Sequence, residues 1–381
     1  MNPVWLGARE TRRLIAALAA AGIEARFVGG CVRDSLLGVP ASRIDDIDVA
    51  TPARPEAVLS ALEAAGVRAV PTGLAHGTVT AVFPGARRFE ITTLRRDVET
   101  DGRHAVVAFD ADWAADAARR DFTINAMYLA PDGTLFDPAG GQADLAARRV
   151  RFVGDPARRL DEDVLRLLRY YRFEARFGQG AGDAAARAAC RDAVPRLAGL
   201  SAERVARELL GLLGAADPVR ALGLMREDGA LAAVLPEAER IDRLARLRSR
   251  DPILRLAALV GSAKGLGERL KLPRADRDRL AGLAPPPALD LYRLGAARYR
   301  DAALLLAADG RIGRDRLRAL LGAAEGWTPP VFPVGGDDVA ALGIPEGPEV
   351  GRLLAAVKGW WEEGGFAADR AACLRRLAEL A

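Results

Sequence analysis

The spacing of apolar residues changes near residue 156, and this change limits the fold more than any other feature of the chain. After it, alanine, leucine and arginine recur at helical spacing and the signals for strands end. Before it, short apolar segments lie between glycine-rich turns, at residues 25–28, 44–49, 78–83 and 89–92. A β-hairpin is also predicted, from residues 126–129 to 134–136 across Pro131–Gly133. The pattern therefore predicts an α+β protein, with a mixed sheet and helices first and only helices afterwards.

The chain has 381 residues, of which 50% are hydrophobic, so two or three domains with their own cores are expected. The predicted boundaries are residues 1–150, 151–215 and 216–381. Proline clusters break the helical part, and Ala284–Pro287 together with Trp327–Pro330 is the best candidate for a linker.

Composition excludes several classes of protein. Three cysteines, far apart, support neither a disulfide framework nor a cysteine-zinc site, and two histidines exclude a histidine-rich metal centre, which leaves carboxylates as metal ligands. No apolar run approaches the roughly 18 residues of a membrane span, and the start of the chain lacks the pattern of a signal peptide, so a cytoplasmic protein is expected. All but three of the 55 basic residues are arginines, which suits phosphate binding but is equally explained by codon bias in a GC-rich genome.

A pair of glycines at the end of a predicted strand indicates a phosphate site. Residues 27–34 leave the strand, pass Gly29 and Gly30, and open a helix whose free N–H groups would face an anion. Arg33 lies one turn into that helix, and Asp34 could hold its guanidinium in place. Alone, such a glycine pair is more often an ordinary tight turn.

Twelve residues further on, two aspartates alternate with apolar residues. Asp46 and Asp48 are predicted to lie on one face of a strand, while Ile47 and Val49 anchor the other face in the core. Paired carboxylates of this kind suit Mg²⁺, which in a two-ion arrangement activates a hydroxyl and stabilises a leaving pyrophosphate. In isolation, a solvated edge strand would explain the same pattern.

The sequence GGCVRDSLLG followed by DDIDVAT resembles the polymerase-β-like nucleotidyltransferase head of the bacterial-type (class II) tRNA nucleotidyltransferase and poly(A) polymerase family. The resemblance implies a catalytic head at 1–150, a helical neck that recognises the base at 151–215, and a body and tail that bind tRNA at 216–381. It implies that Asp46 and Asp48 bind Mg²⁺ and that Gly29, Gly30 and Arg33 hold the NTP. Glu90 is the candidate for a third catalytic carboxylate, the alternative being a surface glutamate.

Residues 118–126 resemble the RRDFT-N-A motif of the same family. By that match Arg120 would contact the phosphates of the nucleotide, and Asp121 would accept a hydrogen bond from the ribose 2′-hydroxyl. The alternative is an ordinary salt-bridged helix end. The preceding residues 95–104 are polar and without periodicity, and we expect them to form a mobile loop beside the site, with His104 as a surface residue.

A single helix is predicted over residues 160–173, with Asp163 and Arg166 one turn apart on its polar side. A carboxylate only accepts hydrogen bonds and a guanidinium only donates them. Side by side, they complement the donors and acceptors on the edges of cytosine and adenine but not those of guanine and uracil. The resemblance to the family's EDxxR motif, which replaces a nucleic-acid template, assigns NTP binding to Asp163, Arg166, Arg169 and Arg172. The alternative is a common surface ion pair. Residues 201–209 resemble the next motif, a helix that supports the pocket.

The resemblance implies an enzyme that adds the 3′-terminal CCA to tRNA from CTP and ATP, with no obligate protein partner and no membrane. Nine arginines in residues 148–176 are expected to attract RNA, and residues 334–354 resemble the family's tail. The alternatives are a poly(A) polymerase, a CC-adding or A-adding enzyme, and a non-catalytic RNA-binding protein. The absence of histidine after His104 excludes an HD phosphohydrolase domain.

Overall fold

The structure, a computed structural model, describes residues 1–44, 46–74, 77–84, 87–100, 105–109 and 112–381, with the backbone alone for 96–100 and 105–109. His104 lies outside the described residues. Contacts divide the chain into two compact units, residues 1–286 and 287–381. The division falls in the proline stretch that the sequence predicts as a linker.

The first unit contains every described strand: β1 (Arg26–Val28), β2 (Asp46–Thr51), β3 (Arg68–Gly73), β4 (Thr78–Val82), β5 (Arg88–Thr93), β6 (Arg95–Thr100), β7 (Ala105–Phe109), β8 (Tyr128–Leu129) and β9 (Leu135–Phe136). Seven of them form one sheet in the order β3-β4-β5-β2-β1-β8-β9. The sheet is mixed, because β2 and β5 run parallel while the other described neighbours run antiparallel. The predicted strands and the β8–β9 hairpin are therefore present.

The prediction for residues 95–104 needs correction. Residues 95–100 form β6, which pairs with β7 in a separate two-stranded sheet, whereas a loop is predicted from the sequence. A two-stranded ribbon need not bury either face, so its sequence can lack the apolar alternation that indicates a strand. Strand β3 was missed as well, and its residues are exposed or half-buried, with none fully buried.

From Pro156 onward, where every residue is described, the regular elements are helices, as the sequence predicts. The helices of the head region are α1 (Arg9–Ala20), α2 (Gly30–Leu36), α3 (Pro55–Ala64), α4 (Trp113–Ala118) and α5 (Gly141–Ala146). The later helices of the first unit are α6 (Pro156–Glu162), α7 (Leu165–Phe177), α8 (Ala184–Ala193), α9 (Ala202–Leu213), α10 (Pro218–Glu227), α11 (Ala230–Val234), α12 (Ile241–Arg246), α13 (Pro252–Leu259), α14 (Leu266–Arg269) and α15 (Arg274–Ala281).

The second unit contains α16 (Leu291–Ala308), α17 (Arg314–Ala324), α18 (Gly336–Ala340), α19 (Pro348–Glu363) and α20 (Arg370–Leu380). Helix α16 is kinked at Gly295, whose φ is 72°. One small core lies between α16 and α17, and a second joins the last three helices around Trp361. Among the described residues, no helix has both the length and the apolar content needed to cross a bilayer.

A cluster of aromatic side chains packs the sheet region against α7. Phe122 is fully buried, and its ring lies 4.7 Å from that of Phe173 in α7 and 5.0 Å from that of Phe152. Tyr170, one turn before Phe173, stacks on Phe152 at 5.8 Å. Helix α7 in turn packs against α9 and α10. Buried aromatic pairs are specific in geometry, so this cluster fixes where α7 and α9 stand relative to the segment around Phe122.

Candidate functional site

The two aspartates of β2 share the polar face of the strand. Asp46 is exposed and Asp48 half-buried, while the alternating residues Ile47 and Val49 are buried. The parallel pairing of β2 with β5 sets Asp48 beside Glu90. Burial, followed by the negative charges of Glu90 and Asp46, raises the pKa of Asp48 to about 6 against the opposing effect of Arg120. Negative charge is therefore concentrated around Asp48, and a bound cation would neutralise it.

The oxygen donors at this strand suit Mg²⁺, which binds few protein carboxylates and completes its shell with water and phosphate. No three His, Cys, Asp or Glu side chains in the described part of the chain lie close enough to hold a metal by themselves. Asp46 and Asp48 would therefore share an ion with ligands from the substrate. Glu90 influences Asp48 through its charge without completing a three-carboxylate site.

The glycine turn lies directly beside these carboxylates. Gly29 has φ 76° and ψ −127°, a conformation that favours glycine, and Gly30 begins α2. A Cβ atom at Gly29 would lie 3.7 Å from Oδ2 of Asp48 and 3.9 Å from Nη1 of Arg120. The backbone turn, a carboxylate and a guanidinium thus meet within a few ångströms.

Arg33 is buried and held by its neighbours. Its Nε donates to Oδ1 of Asp34 at 2.8 Å, as the sequence suggests, and its Nη1 donates to Oδ1 of Asn125 at 2.5 Å. Its guanidinium also lies 4.3 Å from the ring centre of Phe177. Burial lowers the pKa of Arg33 despite the nearby charge of Asp34. In this structure Arg33 joins α2 to the segment that contains Asn125.

Arg120 is oriented by two residues that sequence reasoning missed. Its Nη2 donates to Oδ2 of Asp116 at 2.9 Å, and its Nε donates to the hydroxyl of Tyr128 at 3.1 Å. Burial lowers the pKa of Arg120, but the charge of Asp116 and the contact with Tyr128 outweigh it and raise the pKa. The four-residue spacing of Asp116 and Arg120 is a helical ion-pair signal that could have identified Asp116.

Asp121 joins this segment to α7. Its Oδ2 accepts from Nε of Arg169 at 3.0 Å and from Nη2 at 2.5 Å, and its Oδ1 accepts from Asn125 and from the backbone N–H of Phe122. Burial raises the pKa of Asp121, but the Arg169 charge and these hydrogen bonds outweigh it, so the pKa is lowered. The contact of Phe122 with Phe173 explains the pairing, because Arg169 lies one turn before Phe173 on α7.

The single helix predicted over residues 160–173 is wrong, because the chain breaks at Asp163. Helix α6 ends at Glu162, Asp163 is extended with φ −157° and ψ 106°, and α7 begins at Leu165. The Oδ1 of Asp163 accepts from the N–H of Leu165 at 3.0 Å, so the carboxylate binds the first backbone N–H of the second helix. Aspartate competes for backbone N–H groups in this way and favours helix starts over helix interiors.

Asp163 and Arg166 therefore do not form the surface ion pair that was the alternative explanation of their spacing. Arg166 pairs with Glu162 and also donates from Nη1 to the backbone oxygen of Arg159 at 3.0 Å. Asp163 pairs instead with Arg204 of α9, whose Nη2 lies 2.6 Å from Oδ2. Arg204 was assigned only a supporting role from the sequence, and Glu203 of the same motif forms an exposed pair with Lys271.

A cleft of about 480 Å³ collects most of these side chains. It is lined by Arg119, Arg120, Asp121, Asp163, Leu165, Arg166, Arg169, Arg204, Arg207 and Glu208. Arg172 does not line it but donates from Nε to Oε2 of Glu208 at 2.5 Å. Arginines outnumber acidic residues in the lining by six to three, so the cleft favours an anionic ligand.

The arginines of residues 148–176 are mostly engaged with acidic side chains. Arg149 and Arg151 both donate to Asp144, which is buried. Arg159 and Arg166 share Glu162, and Arg176 lies 3.9 Å from Asp34. The sequence count of nine arginines therefore overstates the free positive charge in this segment.

Two family models match the chain. A model described as the poly A polymerase head domain matches residues 25–151, and one described as the probable RNA and SrmB-binding site of polymerase A matches residues 183–241. Together they cover the glycine turn, the carboxylate strands, the Arg120–Asp121 segment and α9.

Similar proteins extend this match over nearly the whole chain. The mitochondrial CCA tRNA nucleotidyltransferase 1 of Danio rerio is 36% identical over 93% of this chain and 87% of its own length. The CCA-adding enzyme of Geobacillus stearothermophilus is 38% identical over 60% of this chain and 54% of its own length. The crystal structure of the Bacillus stearothermophilus CCA-adding enzyme in complex with CTP superposes with a TM-score of 0.81 at 29% identity, covering 100% of this chain and 98% of that one.

Proposed function

This chain belongs to the tRNA nucleotidyltransferase and poly(A) polymerase family, and from that membership we propose that it adds or repairs the 3′-terminal CCA of tRNA. CMP and AMP are transferred from CTP and ATP to the 3′-hydroxyl of the RNA, and pyrophosphate is released. The bond between the 3′-oxygen and the α-phosphorus forms as the bond from that phosphorus to the pyrophosphate oxygen breaks. The hydroxyl proton is lost in the same step.

The position of Arg120 is the observation that carries this proposal. It lines the cleft, lies beside the Gly29 turn, and acts on the pKa of Asp48 through its charge. One guanidinium therefore connects the carboxylates that suit a metal with the arginine-rich cleft that suits a nucleotide. A nucleoside triphosphate bound beside Arg120 would have its phosphates at β2 and its base in the cleft.

We assign the reactive end to the residues around β2. Asp46 and Asp48 would hold Mg²⁺, which when bound supplies activation of the attacking hydroxyl and charge neutralisation at the leaving pyrophosphate. Glu90 reinforces the negative charge at this point. Gly29 and Gly30 would present backbone N–H groups to phosphate, and Arg120 would be the charged donor. Arg33 would position the glycine turn through its hydrogen bond to Asn125.

We assign recognition of the base to Asp163 and Arg166. Recognition of the sugar is assigned to Asp121 by the family resemblance; its two oxygens already accept four hydrogen bonds, so it would exchange one of them for the 2′-hydroxyl. Asp163 keeps acceptor capacity beyond its contacts with Leu165 and Arg204, because each carboxylate oxygen can accept two hydrogen bonds. Arg166 faces the same cleft as a donor. Arg169 fixes Asp121, and Arg172 acts through Glu208.

Poly(A) addition is the second candidate, because the matching head model is described by that activity. Addition of CCA is favoured by the Danio rerio relative, which matches over most of both chains.

We also propose that the domain boundaries lie at residues 150 and 215, as the sequence predicts. Similarity to bacterial CCA-adding enzymes supports a cytoplasmic location, whereas similarity to mitochondrial relatives favours an organelle. Microscopy of the tagged chain distinguishes the two locations.

The test is to incubate the purified protein with Mg²⁺ and tRNA transcripts that end before CCA, after C and after CC. CTP, ATP or both are supplied, and the 3′ ends are sequenced. The proposal expects completion of CCA on each transcript and then termination. Long adenosine tails on unrelated RNA would establish the polymerase instead, and addition that stops at CC would establish a specialised enzyme.

A further inference from the structure

Asn125 lies between the glycine turn and the cleft. A Cβ atom at Gly29 would lie 4.0 Å from the backbone oxygen of Asn125, and the Asn125 side chain contacts Asp121, which lines the cleft. In the proposed function the phosphates of the nucleotide lie at the turn and its base lies in the cleft. The ribose joins these two groups, so it would lie beside Asn125.

The two ends of the Asn125 amide are distinguished by their partners. Arg33 can only donate, so it faces the amide oxygen, with its Nη1 2.5 Å from Oδ1. The carboxylate of Asp121 can only accept, so it faces the amide nitrogen, with its Oδ1 3.0 Å from Nδ2. The hydrogen bond from Arg33 therefore holds the amide with its nitrogen directed at Asp121.

The described contacts of Asp121 already occupy its acceptor positions. Two of the four hydrogen bonds come from Arg169, and these are the strongest because the donor is charged. A third comes from the backbone N–H of Phe122, a buried residue that would be left with an unpaired donor. The fourth comes from the uncharged amide of Asn125, which stays bound to Arg33 if it is released. The bond from Asn125 is therefore the one that costs least to exchange.

We propose that the 2′-hydroxyl of the incoming ribonucleotide inserts between Asp121 and Asn125. The hydroxyl donates to Oδ1 of Asp121, and its oxygen accepts from Nδ2 of Asn125. One hydrogen bond opens and two form, so no donor or acceptor of either side chain is left unpaired. This rests on the proposed function, which supplies the ribonucleotide, and it makes Asn125 a specificity-determining residue for the sugar.

The same arrangement limits how strongly the site rejects deoxyribonucleotides. When the 2′-hydroxyl is missing, Asn125 keeps its hydrogen bond to Asp121 and neither side chain loses a partner. Discrimination of about 10⁴ or more arises where buried polar groups of a site are left unpaired. Here the ribonucleotide gains only one additional hydrogen bond to a charged group, so kcat/KM for ATP should exceed that for dATP by roughly 10–100-fold.

The experiment compares ATP with dATP in single-nucleotide addition to a transcript that ends after CC. Asn125→Leu removes the donor at similar volume, and Asn125→Ala is a second variant with a smaller side chain. Both should lower the ratio of kcat/KM for ATP over dATP by roughly 3–10-fold, the contribution of one hydrogen bond between uncharged groups. Loss of the contact with Arg33 acts on the glycine turn and therefore on both nucleotides alike, so it does not change the ratio.

Thr123→Val is the matched control. Thr123 lies in the same short turn as Asn125, and its hydroxyl donates to the buried carboxylate of Asp144 at 2.6 Å rather than to Asp121. Loss of this hydrogen bond should lower the Tm and leave the ratio at its wild-type value.

Equal losses with ATP and dATP in the Asn125 variants would overturn the insertion. So would a wild-type ratio above about 10³, a measurement that does not depend on the folding of any variant. A wild-type protein that adds neither nucleotide to any transcript would instead overturn the proposed function. Because a poly(A) polymerase also adds AMP, the ratio can be measured for that second candidate as well.

Discussion

Arg204 fixes the carboxylate of Asp163, with its Nη2 atom 2.6 Å from Oδ2. The other oxygen of Asp163 is held by the backbone N–H of Leu165 at 3.0 Å. Neither residue is fully exposed, their side chains being 27% and 26% accessible. A carboxylate bound at both oxygens cannot rotate freely, so its remaining lone pairs point in fixed directions. Discrimination between bases needs such fixed acceptors, because a mobile one adapts to the wrong partner.

Replacing Arg204 should therefore loosen base selection more than it slows transfer. For Arg204→Ala we expect the ratio of kcat/KM for CTP over UTP to fall by roughly 10–100-fold. Arg204→Lys keeps the charge and should restore part of the ratio. The measurement is single-nucleotide addition to a transcript that ends before CCA.

The control for Arg204 is Glu203→Gln on the same helix, whose exposed pair with Lys271 lies outside the cleft lining. It should leave the ratio unchanged. If Arg204→Ala lowers the rates for CTP and UTP equally, Asp163 is not positioned by Arg204 for base selection.

Neutralising the β2 carboxylates should abolish transfer without unfolding the protein. Asp46→Asn and Asp48→Asn should each reduce kcat by roughly 10³-fold or more, since a metal centre contributes several kcal/mol to such a step. Asp48→Asn should not lower the Tm, because the native carboxylate is partly buried and repelled by Glu90 and Asp46. Both are measured on the same preparations, by CMP incorporation and by thermal unfolding. Retained incorporation in both variants would contradict the assignment of the metal site.

Gly211 of α9 should resist a substitution that ordinarily stabilises a helix. A Cβ atom there would lie 2.7 Å from Cδ of Arg172, which would have to leave its contact with Glu208. We expect Gly211→Ala to give no gain in the free energy of unfolding and to lower kcat/KM for CTP roughly tenfold, equivalent to about 1.4 kcal/mol.

The matched control is Gly223→Ala in α10, where a Cβ would meet nothing within 4 Å. It should raise the free energy of unfolding by about 0.5–1 kcal/mol, the ordinary gain for glycine to alanine in a helix, with unchanged activity. Equal stabilisation and full activity in both variants would show that Arg172 is free to move.

Asp228 should make stability depend on pH in the acidic range. It is buried, its Oδ2 accepts from the hydroxyl of Tyr171 at 2.8 Å, and Arg187 and Arg191 donate to it. Burial raises the pKa of Asp228, but the hydrogen bonds from Arg187, Arg191 and Tyr171 outweigh it and hold the pKa below its usual range. A lowered pKa in the folded state stabilises the protein above the unfolded value of about 3.9.

Asp228→Asn should accordingly lower the free energy of unfolding by about 3 kcal/mol near neutral pH, because the half-buried Arg187 loses its main partner. The difference from wild type should shrink as the pH falls below about 4 and through the lowered pKa of the folded state. Urea unfolding at a series of pH values measures it. A difference that persists unchanged at the acid end, or grows there, would contradict the ion-pair explanation.

The sequence by itself determined the features that depend on neighbouring residues. Alternation of Asp46 and Asp48 with Ile47 and Val49 predicted which side of β2 is polar, because side chains alternate along any strand. The turn at Pro131–Gly133 predicted the β8–β9 hairpin, and the change of spacing near residue 156 predicted that only helices follow it. Each of these follows from backbone geometry over a few residues.

Only the tertiary structure decided which side chains pair across the cleft. Asp121 meets Arg169 across 48 residues, and Asp163 meets Arg204 across 41, so no local spacing relates them. The packing of Phe122 against Phe173 sets the first pairing, and the packing of α7 against α9 sets the second. The sequence placed Arg166 beside Asp163 because helical spacing was the only geometry it offered. In the folded chain the carboxylate of Asp163 accepts a hydrogen bond from the N–H of Leu165 at the point where α6 has ended and α7 begins. Because the chain is extended there, Asp163 contacts α9.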